Sequence, residues 1–283
     1  MTLSGREVAD LLARHHLRPR RAMGQHFVVD PNTVRRIARL AGVGSGDRVV
    51  EIGAGLGSLT LALLETGAEV TAVELDHQLV PVLREVVEAR GARVVEGDAL
   101  QLDWPSVLGT TAGAPGSGSW VLVANLPYNV AAPVVADLLD DVPAIGRMLV
   151  MVQREVGERL AAAVGDPAYG ALSVKVSYWA TARVVGRVPP AVFLPQPAVE
   201  SVLVAVQRRT VPAVDPAEAD AAELFTLVRA GFGQRRKMLR RSLAGRVPPA
   251  AFACAGVRPE ARAEELDVAA WGRLAACTRR SAR

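Results

Sequence analysis

The chain has 283 residues, half of them hydrophobic, and a formal net charge of +4. It is long enough to fold alone as one sizeable domain plus a smaller one. No apolar run could cross a bilayer and no signal-peptide pattern is present, so we expect a cytoplasmic protein with no membrane partner. Cys254 and Cys277 lack CxxC spacing and nearby histidines, which argues against a disulfide framework and against any metal site.

The predicted elements begin with a basic N-terminal arm over residues 1–22, which we expect to be partly mobile around a short amphipathic helix. A helix follows Asp30-Pro31, because Asp is a good N-cap and proline suits the first helical position. From residue 48, short β-branched runs alternate with helical segments, which is typical of a parallel, doubly wound sheet. The first five predicted strands cover residues 48–52, 69–73, 93–95, 120–124 and 147–152.

The second half of the chain changes character twice. Residues 109–119 are low in complexity and predict a surface loop. The segments 173–185 and 201–206 have β character without a crossover helix between them, which predicts an antiparallel hairpin at the sheet edge. After residue 209, Ala, Glu, Leu and Arg recur at helical spacing. We therefore predict an α/β domain with a seven-stranded, mostly parallel sheet over 23–209 and a small all-helical domain over 210–283.

A glycine-rich turn leaves the first strand at Gly53 and Gly55, where the backbone can approach a ligand closely. Ser58 stands where a nicotinamide fingerprint needs glycine, which disfavours a dehydrogenase. Glu74 ends the second strand, where an acid can accept the hydroxyls of a ribose, and Asp98 follows the third, where it could accept from an adenine amino group. The turn contains no Lys or Arg for phosphates, so the pattern favours a nucleoside ligand such as S-adenosylmethionine.

The fourth strand runs into Asn125-Leu126-Pro127-Tyr128. The Asn125 side-chain oxygen and the Leu126 carbonyl are two acceptors held by the fixed backbone of Pro127, and together they could grip one exocyclic amino group. Tyr128 offers a flat face for a purine, an interaction of about 1–3 kcal/mol per base. The alternative is a strand end closed by an ordinary Asn-Pro turn.

Basic residues form two clusters, and nearly all of them are arginines. Both clusters are candidate phosphate contacts, with a solvated Arg-rich surface as the alternative. The candidate phosphate-binding residues are Arg20 and Arg21 in the arm, and Arg235, Arg236, Lys237 and Arg240 in the helical domain.

Together, these motifs resemble the ribosomal RNA adenine dimethyltransferase family over nearly the whole chain. The family pattern of Glu-x-Gly-x-Gly, Asn-Leu-Pro-Tyr, Phe-x-Pro-x-Pro-x-Val and Gln-Arg-Arg-Lys occurs at 51–55, 125–128, 193–199 and 234–237. The family also opens with Gly-Gln-Asn-Phe-Leu, a segment that closes over the cofactor. Here His26 and Val28 replace its Asn and Leu.

The resemblance implies a Rossmann-like S-adenosylmethionine methyltransferase sheet and a monomeric enzyme that acts on ribosomal RNA. The Gln-Arg-Arg-Lys run and the full helical domain favour the small-subunit branch over the macrolide-resistance branch, which methylates 23S rRNA. The implied substrate is a pair of adjacent adenines in the 3′-terminal hairpin loop of 16S rRNA within the small ribosomal subunit, each dimethylated at N6. The resemblance makes Asn125, Leu126, Pro127 and Tyr128 catalytic, with Phe193 completing a sandwich around the base.

By the same resemblance, His26, Val28 and Asn125 contact the cofactor beside Gly53, Gly55, Glu74 and Asp98. Three alternatives stay open from the residues alone. A small-molecule methyltransferase would not need the basic C-terminal helices, and a dehydrogenase would bind a nicotinamide cofactor. A non-catalytic assembly or nucleic-acid-binding factor would keep working after Asn125→Ala.

Overall fold

The computed structural model describes residues 2–20, 23–110 and 120–281. The chain forms two compact units, of which the first extends to Gly157 and includes Arg183–Arg208. The second contains Glu158–Ala182 and the chain from Arg209 onward. The predicted N-terminal arm (1–22) and the predicted surface loop (109–119) lie partly outside the described residues, which do not include Arg21 or residues 111–119.

The first unit is built around a seven-stranded sheet with the strand order β4-β3-β2-β5-β6-β9-β7. Strands β2 to β6 are paired in parallel, whereas β9 runs antiparallel to β6. A separate antiparallel ladder joins β1 to β8. The strands are β1 Phe27–Val28, β2 Arg48–Ile52, β3 Glu69–Glu74, β4 Arg93–Glu96, β5 Trp120–Asn125, β6 Ile145–Gln153, β7 Ala180–Val188, β8 Phe193–Leu194 and β9 Ser201–Arg208.

The helices follow the predicted alternation in the first half of the chain. None of those in the described ranges is both long and apolar enough to cross a bilayer. The helices are α1 Gly5–Arg14, α2 Pro31–Ala41, α3 Ser58–Leu64, α4 Val80–Val87, α5 Trp104–Leu108, α6 Ala131–Asp141, α7 Arg154–Ala161, α8 Ala171–Trp179, α9 Ala221–Gly233, α10 Leu239–Ser242, α11 Pro249–Ala255 and α12 Val268–Ser281.

Local capping explains where α2 begins and ends. The Asp30 carboxylate accepts a hydrogen bond from the Thr33 backbone N–H at 2.8 Å, and Pro31 occupies the first helical position. Such a cap satisfies an N–H group that has no partner inside the helix. The predicted start of the helix is therefore confirmed, and Gly42 in the left-handed conformation ends it.

The amphipathic helix predicted within the N-terminal arm is present as α1, and its apolar face is packed in the first unit. A capping box between Ser4 and Glu7 starts α1. Its Val8, Leu11 and Leu12 are buried in a cluster that also contains side chains from α4 and the glycine turn. Burying this apolar stripe gives the helix a stability that a short helix lacks in water.

The β character predicted for residues 173–179 is wrong, because this segment belongs to helix α8. Val174 and Tyr178 are buried in the core of the second unit, where the Tyr178 ring packs edge-to-face against Phe225 of α9. Tertiary packing therefore overrides the β propensity of the local sequence. The strand begins only at Ala180, and the sheet edge is formed by β7 beside β9.

The second unit is a helical body whose core surrounds the fully buried Trp271. It contains Glu158–Ala182 as well as the C-terminal residues, so its boundary differs from the predicted limit at residue 210. Cys254 of α11 and Cys277 of α12 form a disulfide, contrary to the sequence expectation. The packing of α11 on α12 brings the two Cα atoms to 5.9 Å, a proximity that a separation of 23 residues does not reveal.

Candidate active site

The carboxyl ends of β2, β3, β4 and β5 meet at one edge of the sheet, where a cavity opens. Ligands of open α/β sheets bind at this kind of edge. In the described part of the chain, no residue that lines the cavity is Lys or Arg. All the predicted cofactor residues do line it: His26, Val28, Gly53, Gly55, Glu74, Asp98 and Asn125.

One end of the cavity, here called the acid end, consists of Gly53, Gly55, Glu74 and Asp98. The Glu74 carboxylate accepts a hydrogen bond from Gly55 N–H at 2.7 Å and another from Asp76 N–H at 2.9 Å. Burial raises the pKa of Glu74, and these two hydrogen bonds oppose that rise. Each oxygen keeps a second lone pair, so the carboxylate can still accept two ligand hydroxyls.

The backbone of the glycine turn packs closely against the Phe27 ring, and this close approach requires glycine at position 55. Gly55 has φ +60°, and a Cβ there would lie 3.0 Å from the Phe27 ring. Any other residue would therefore be strained and would displace that ring. The Asp98 carboxylate is hydrogen-bonded within its own turn. It accepts a hydrogen bond from the Leu100 backbone N–H at 3.0 Å and another from the Gln101 side-chain amide at 3.1 Å.

Two features of the acid end were missed by the sequence reasoning. Leu75 and Leu100 line the cavity while remaining 53% and 40% exposed, so they offer apolar surface to a flat ring. Glu51 is only 2% exposed and accepts a hydrogen bond from the Thr60 hydroxyl at 2.6 Å. Burial raises the pKa of Glu51 to about 8, so it is mostly a neutral carboxyl at pH 7. The sequence did contain one signal for Leu75, because this residue directly follows Glu74, the acid at the end of β3.

The other end of the cavity is lined by His26 and Asn125, and we call these two residues together with the adjoining Leu126 and Tyr128 of the turn the amide end. Asn125 donates from its side-chain Nδ2 to the His26 carbonyl at 2.9 Å, which leaves its Oδ1 as the outward acceptor. The Leu126 N–H is bonded to the Met151 carbonyl at 3.1 Å, so β6 holds the turn. Among the described residues, no donor reaches either Asn125 Oδ1 or the Leu126 carbonyl. The predicted acceptor pair is therefore unengaged.

Tyr128 is held at both its ring and its hydroxyl. The hydroxyl lies 2.8 Å from Ser201 Oγ, and the ring stacks on His26 with centroids 5.2 Å apart and an interplanar angle of 26°. Burial raises the pKa of Tyr128, while the hydrogen bond with Ser201 lowers it. Tyr128 is therefore half-buried and fixed in orientation beside the turn.

Phe193 does not have the predicted geometry. It is 4% exposed, belongs to the hydrophobic core, and pairs with Val28 in the β1–β8 ladder. A ring buried in this way offers no face to a base, so the predicted sandwich of Tyr128 and Phe193 is absent from this structure. The aromatic partner of Tyr128 is His26 instead, which pattern reading could not identify because the two residues are far apart in sequence.

Three of the candidate RNA-binding arginines are paired with acids. Arg20 lies 3.6 Å from the buried Asp76, Arg235 lies 2.6 Å from Glu264, and Arg240 lies 3.2 Å from Glu260. Arg236 and Lys237 are exposed and have no acidic partner among the described residues. Arg21 lies outside the described residues. Such exposed cations are the ones most available to phosphate groups.

The donor set of the cavity fits S-adenosylmethionine. The acid at Glu74 suits ribose hydroxyls, Leu75 and Leu100 suit an adenine ring, and the lack of a cation suits a ligand that has a sulfonium and no phosphate. In the ranges that the structure describes, no cluster of His, Cys, Asp or Glu could hold a metal ion. The arrangement can therefore place a methyl donor next to a pair of hydrogen-bond acceptors.

Comparison with known proteins points to the same chemistry. The sequence model of the ribosomal RNA adenine dimethylase family matches residues 16–279. The ribosomal RNA small subunit methyltransferase A of Kineococcus radiotolerans is 48% identical over 97% of this chain and 91% of its own length. The protein of the same name from Thermobifida fusca is 45% identical over 96% of this chain and 95% of its own length.

Solved structures share the fold. A dimethyladenosine transferase from Plasmodium falciparum has a TM-score of 0.71 at 24% identity, covering 87% of this chain and 94% of that one. The 23S rRNA methyltransferase ErmE has a TM-score of 0.66 at 26% identity, covering 88% and 97%. With the sheet, the cavity and the family match all in agreement, the chain belongs to the ribosomal RNA adenine dimethylase family.

Proposed function

We propose that this enzyme dimethylates the N6 amino groups of two adjacent adenines in the 3′-terminal hairpin loop of bacterial 16S rRNA, acting on the small ribosomal subunit. The observation that carries the proposal is the unengaged acceptor pair, Asn125 Oδ1 and the Leu126 carbonyl, at the edge of a cavity suited to S-adenosylmethionine. The names of the curated relatives support the small subunit as the substrate.

S-adenosylmethionine supplies an activated methyl group, so the protein has to position a weak nucleophile. Glu74 would hold the ribose hydroxyls, and Leu75 and Leu100 would contact the adenine ring. The neutral Glu51 carboxyl lies on the same cavity wall and adds no net charge at pH 7. Together they would fix the donor at the acid end.

The lone pair of an adenine amino group is delocalised into the ring, which makes it a poor nucleophile. Asn125 Oδ1 and the Leu126 carbonyl would accept its two N–H groups out of the ring plane and so free the lone pair. The nitrogen becomes cationic as it is methylated, and the two acceptor dipoles favour that charge. No general base is required for the attack itself. The carbon–sulfur bond of the donor would break as the carbon–nitrogen bond forms, the donor would leave as its thioether, and the cationic nitrogen would then release one proton to solvent. One N–H therefore remains to be held after the first methylation.

The target base has to leave its stack, at a cost of a few kcal/mol that is smallest in a loop. Tyr128 would receive the extruded base on its ring, with an expected gain of about 1–3 kcal/mol. The Phe193 ring is only 4% exposed in this structure, so it would have to leave its core position to take part in this step.

The second unit would contact the RNA backbone through its exposed cations. Arg236 and Lys237 are the best candidates, and Arg235 and Arg240 would have to exchange their acidic partners for phosphates. The double variant Arg236→Ala, Lys237→Ala should lower the slope of log affinity against log salt by about 0.7–0.9 per lost contact. A control with Arg35→Ala and Arg39→Ala, two exposed cations of α2, should keep the slope. We further propose that the enzyme acts as a cytoplasmic monomer.

Incubating unmethylated small subunits with labelled S-adenosylmethionine and mapping the modified bases tests this function. We expect label on two adjacent adenines of the 3′-terminal hairpin of 16S rRNA, at N6. Large subunits serve as the control, because the structural likeness to ErmE makes 23S rRNA the competing substrate. Label on 23S rRNA alone, or no label at all, would reject the proposal.

A further inference from the structure

The His26 residue touches both functional parts of the catalytic turn. Its carbonyl accepts the Asn125 side-chain amide at 2.9 Å, and its ring stacks on the Tyr128 ring with a centroid distance of 5.2 Å. A third contact fixes the ring itself, since His26 Nδ1 lies 2.7 Å from the Pro195 carbonyl. We infer that His26 is a positioning residue for the base, which holds the acceptor of Asn125 and the stacking face of Tyr128 in one geometry. This inference rests on the proposed function.

The carbonyl contact decides which end of the Asn125 amide meets the base. An amide presents an oxygen acceptor at one end and two N–H donors at the other. Because Nδ2 is bonded to the His26 carbonyl, Oδ1 is the end left for the ligand. If the Asn125 amide were rotated by half a turn, its N–H groups would face the N–H groups of the adenine, and no hydrogen bond could form between them. The backbone carbonyl at position 26 therefore holds the productive amide orientation, and it stays in place whatever side chain residue 26 carries, so the variants below test the ring.

The ring contact orients Tyr128. Its hydroxyl is tied to Ser201 at 2.8 Å, which fixes one end of the side chain, and the imidazole covers one face of the ring. A ring fixed at its hydroxyl and on one face loses little conformational freedom when a base lands on the other face. Phe193 cannot serve this purpose from the core. The imidazole thus supports the Tyr128 ring from one face and is not the second ring of a sandwich, because centroids 5.2 Å apart leave no room for a base between them.

The backbone around His26 is pressed against the same turn. Gly24 has φ +69°, and a Cβ there would lie 3.1 Å from Pro127 Cβ and 3.3 Å from the Tyr128 backbone nitrogen. The segment therefore packs directly on the turn, and the bond from His26 Nδ1 to Pro195 anchors it on the side of β8. Removing the imidazole releases this anchor and the ring stack at once, while the Glu74 contacts at the acid end stay intact.

Three substitutions separate the ring from its hydrogen bond. His26→Ala removes both, His26→Phe keeps a stacking ring, and His26→Asn keeps a hydrogen-bonding group without a ring. The exposed His77, which has no side-chain partner among the described residues, provides the control His77→Ala. For each variant, kcat and KM are measured on unmethylated small subunits, and the Kd for S-adenosylmethionine is measured by calorimetry.

We expect His26→Ala to lower kcat about tenfold or more, because small misplacements of reacting groups carry large rate costs. Because His26 also lines the cofactor cavity, the cofactor Kd should rise as well, but by a smaller factor than kcat falls. His26→Phe should recover more activity than His26→Asn. A kcat within twofold of wild type in His26→Ala, an equal loss of cofactor affinity, or better rescue by Asn than by Phe would each overturn the inference.

A spectroscopic measurement keeps the test independent of turnover. The chain has only three tyrosines, so the ring signals of a tyrosine-labelled sample are few enough to assign by NMR. Loss of the imidazole should shift the Tyr128 signal and leave Tyr169 and Tyr178 unchanged. An unmoved Tyr128 signal would overturn the inference even if His26→Ala were unstable. Failure of wild-type enzyme to methylate small subunits would instead count against the proposed function.

Discussion

The two ends of the cavity are built in different ways. At the acid end, Glu74 accepts hydrogen bonds from the backbone N–H groups of Gly55 and Asp76. These two residues lie in the turns that follow the adjacent strands β2 and β3. At the amide end, Asn125 and Tyr128 are held by His26 and Ser201, which are distant in sequence. The acid end is thus a property of local turns, whereas the amide end exists only once remote segments have packed together. Substitutions at the two ends should therefore change different measured quantities.

The largest expected effect is at the amide end. Asn125→Ala removes one acceptor from the pair, and kcat should fall about 10²–10³-fold, as for the loss of one oxyanion-hole donor. The cofactor Kd should remain close to the wild-type value, because the contacts of Glu74 are untouched. Single-turnover methylation and calorimetry measure the two quantities. Asn32→Ala, an exposed asparagine of α2, is the control. Retained turnover in Asn125→Ala would disprove the role of the acceptor pair.

The opposite pattern is expected at the acid end. Glu74→Gln removes the charge that would accept ribose hydroxyls, and the cofactor Kd should rise about 10–100-fold, the usual range for a charged hydrogen bond. The turnover number at saturating cofactor should change much less. The matched control is Glu69→Gln, an exposed acid at the start of the same strand. An unchanged cofactor affinity in Glu74→Gln would remove Glu74 from the ligand site.

Glu51 lines the same cavity and should make stability depend on pH. Its pKa rises from the usual 4.5 to about 8 in the folded state, so the native protein binds a proton that the unfolded chain has released between these values. The free energy of unfolding therefore falls as pH rises through this window. Glu51→Gln cannot ionise, and relative to wild type it should gain on the order of 3 kcal/mol between pH 5 and pH 8. Urea unfolding of both proteins at both pH values tests this. The prediction is contradicted if the difference in the free energy of unfolding between Glu51→Gln and wild type is the same at pH 5 and pH 8.

The smallest expected effect concerns the anchor of Tyr128. Tyr128→Phe keeps the ring and loses the hydrogen bond with Ser201, a contact worth about 1 kcal/mol. We expect kcat to fall by about three- to tenfold, with cofactor affinity unchanged. Ser201→Ala removes the same hydrogen bond from the other side, and the two variants should match. A large loss in only one of them would show that the bond is not the cause.

The amino-acid sequence was enough to predict the parallel sheet, the glycine turn, the strand-end acids and the Asn-Leu-Pro-Tyr turn. These features are encoded in short stretches, because hydrophobic periodicity and turn chemistry act between neighbours in the chain. It also showed the departure at His26 from the family pattern, without showing what the ring would contact.

Long-range packing, in contrast, sets the burial of Phe193, the stacking of His26 on Tyr128, the helical state of residues 173–179 and the pairing of Cys254 with Cys277. Each of these depends on which remote segment packs against the residue, and no local pattern contains that information. The same reason applies to Glu51, whose raised pKa follows from burial beneath the turn. Local sequence placed the chemical groups, and long-range packing set their exposure, orientation and charge.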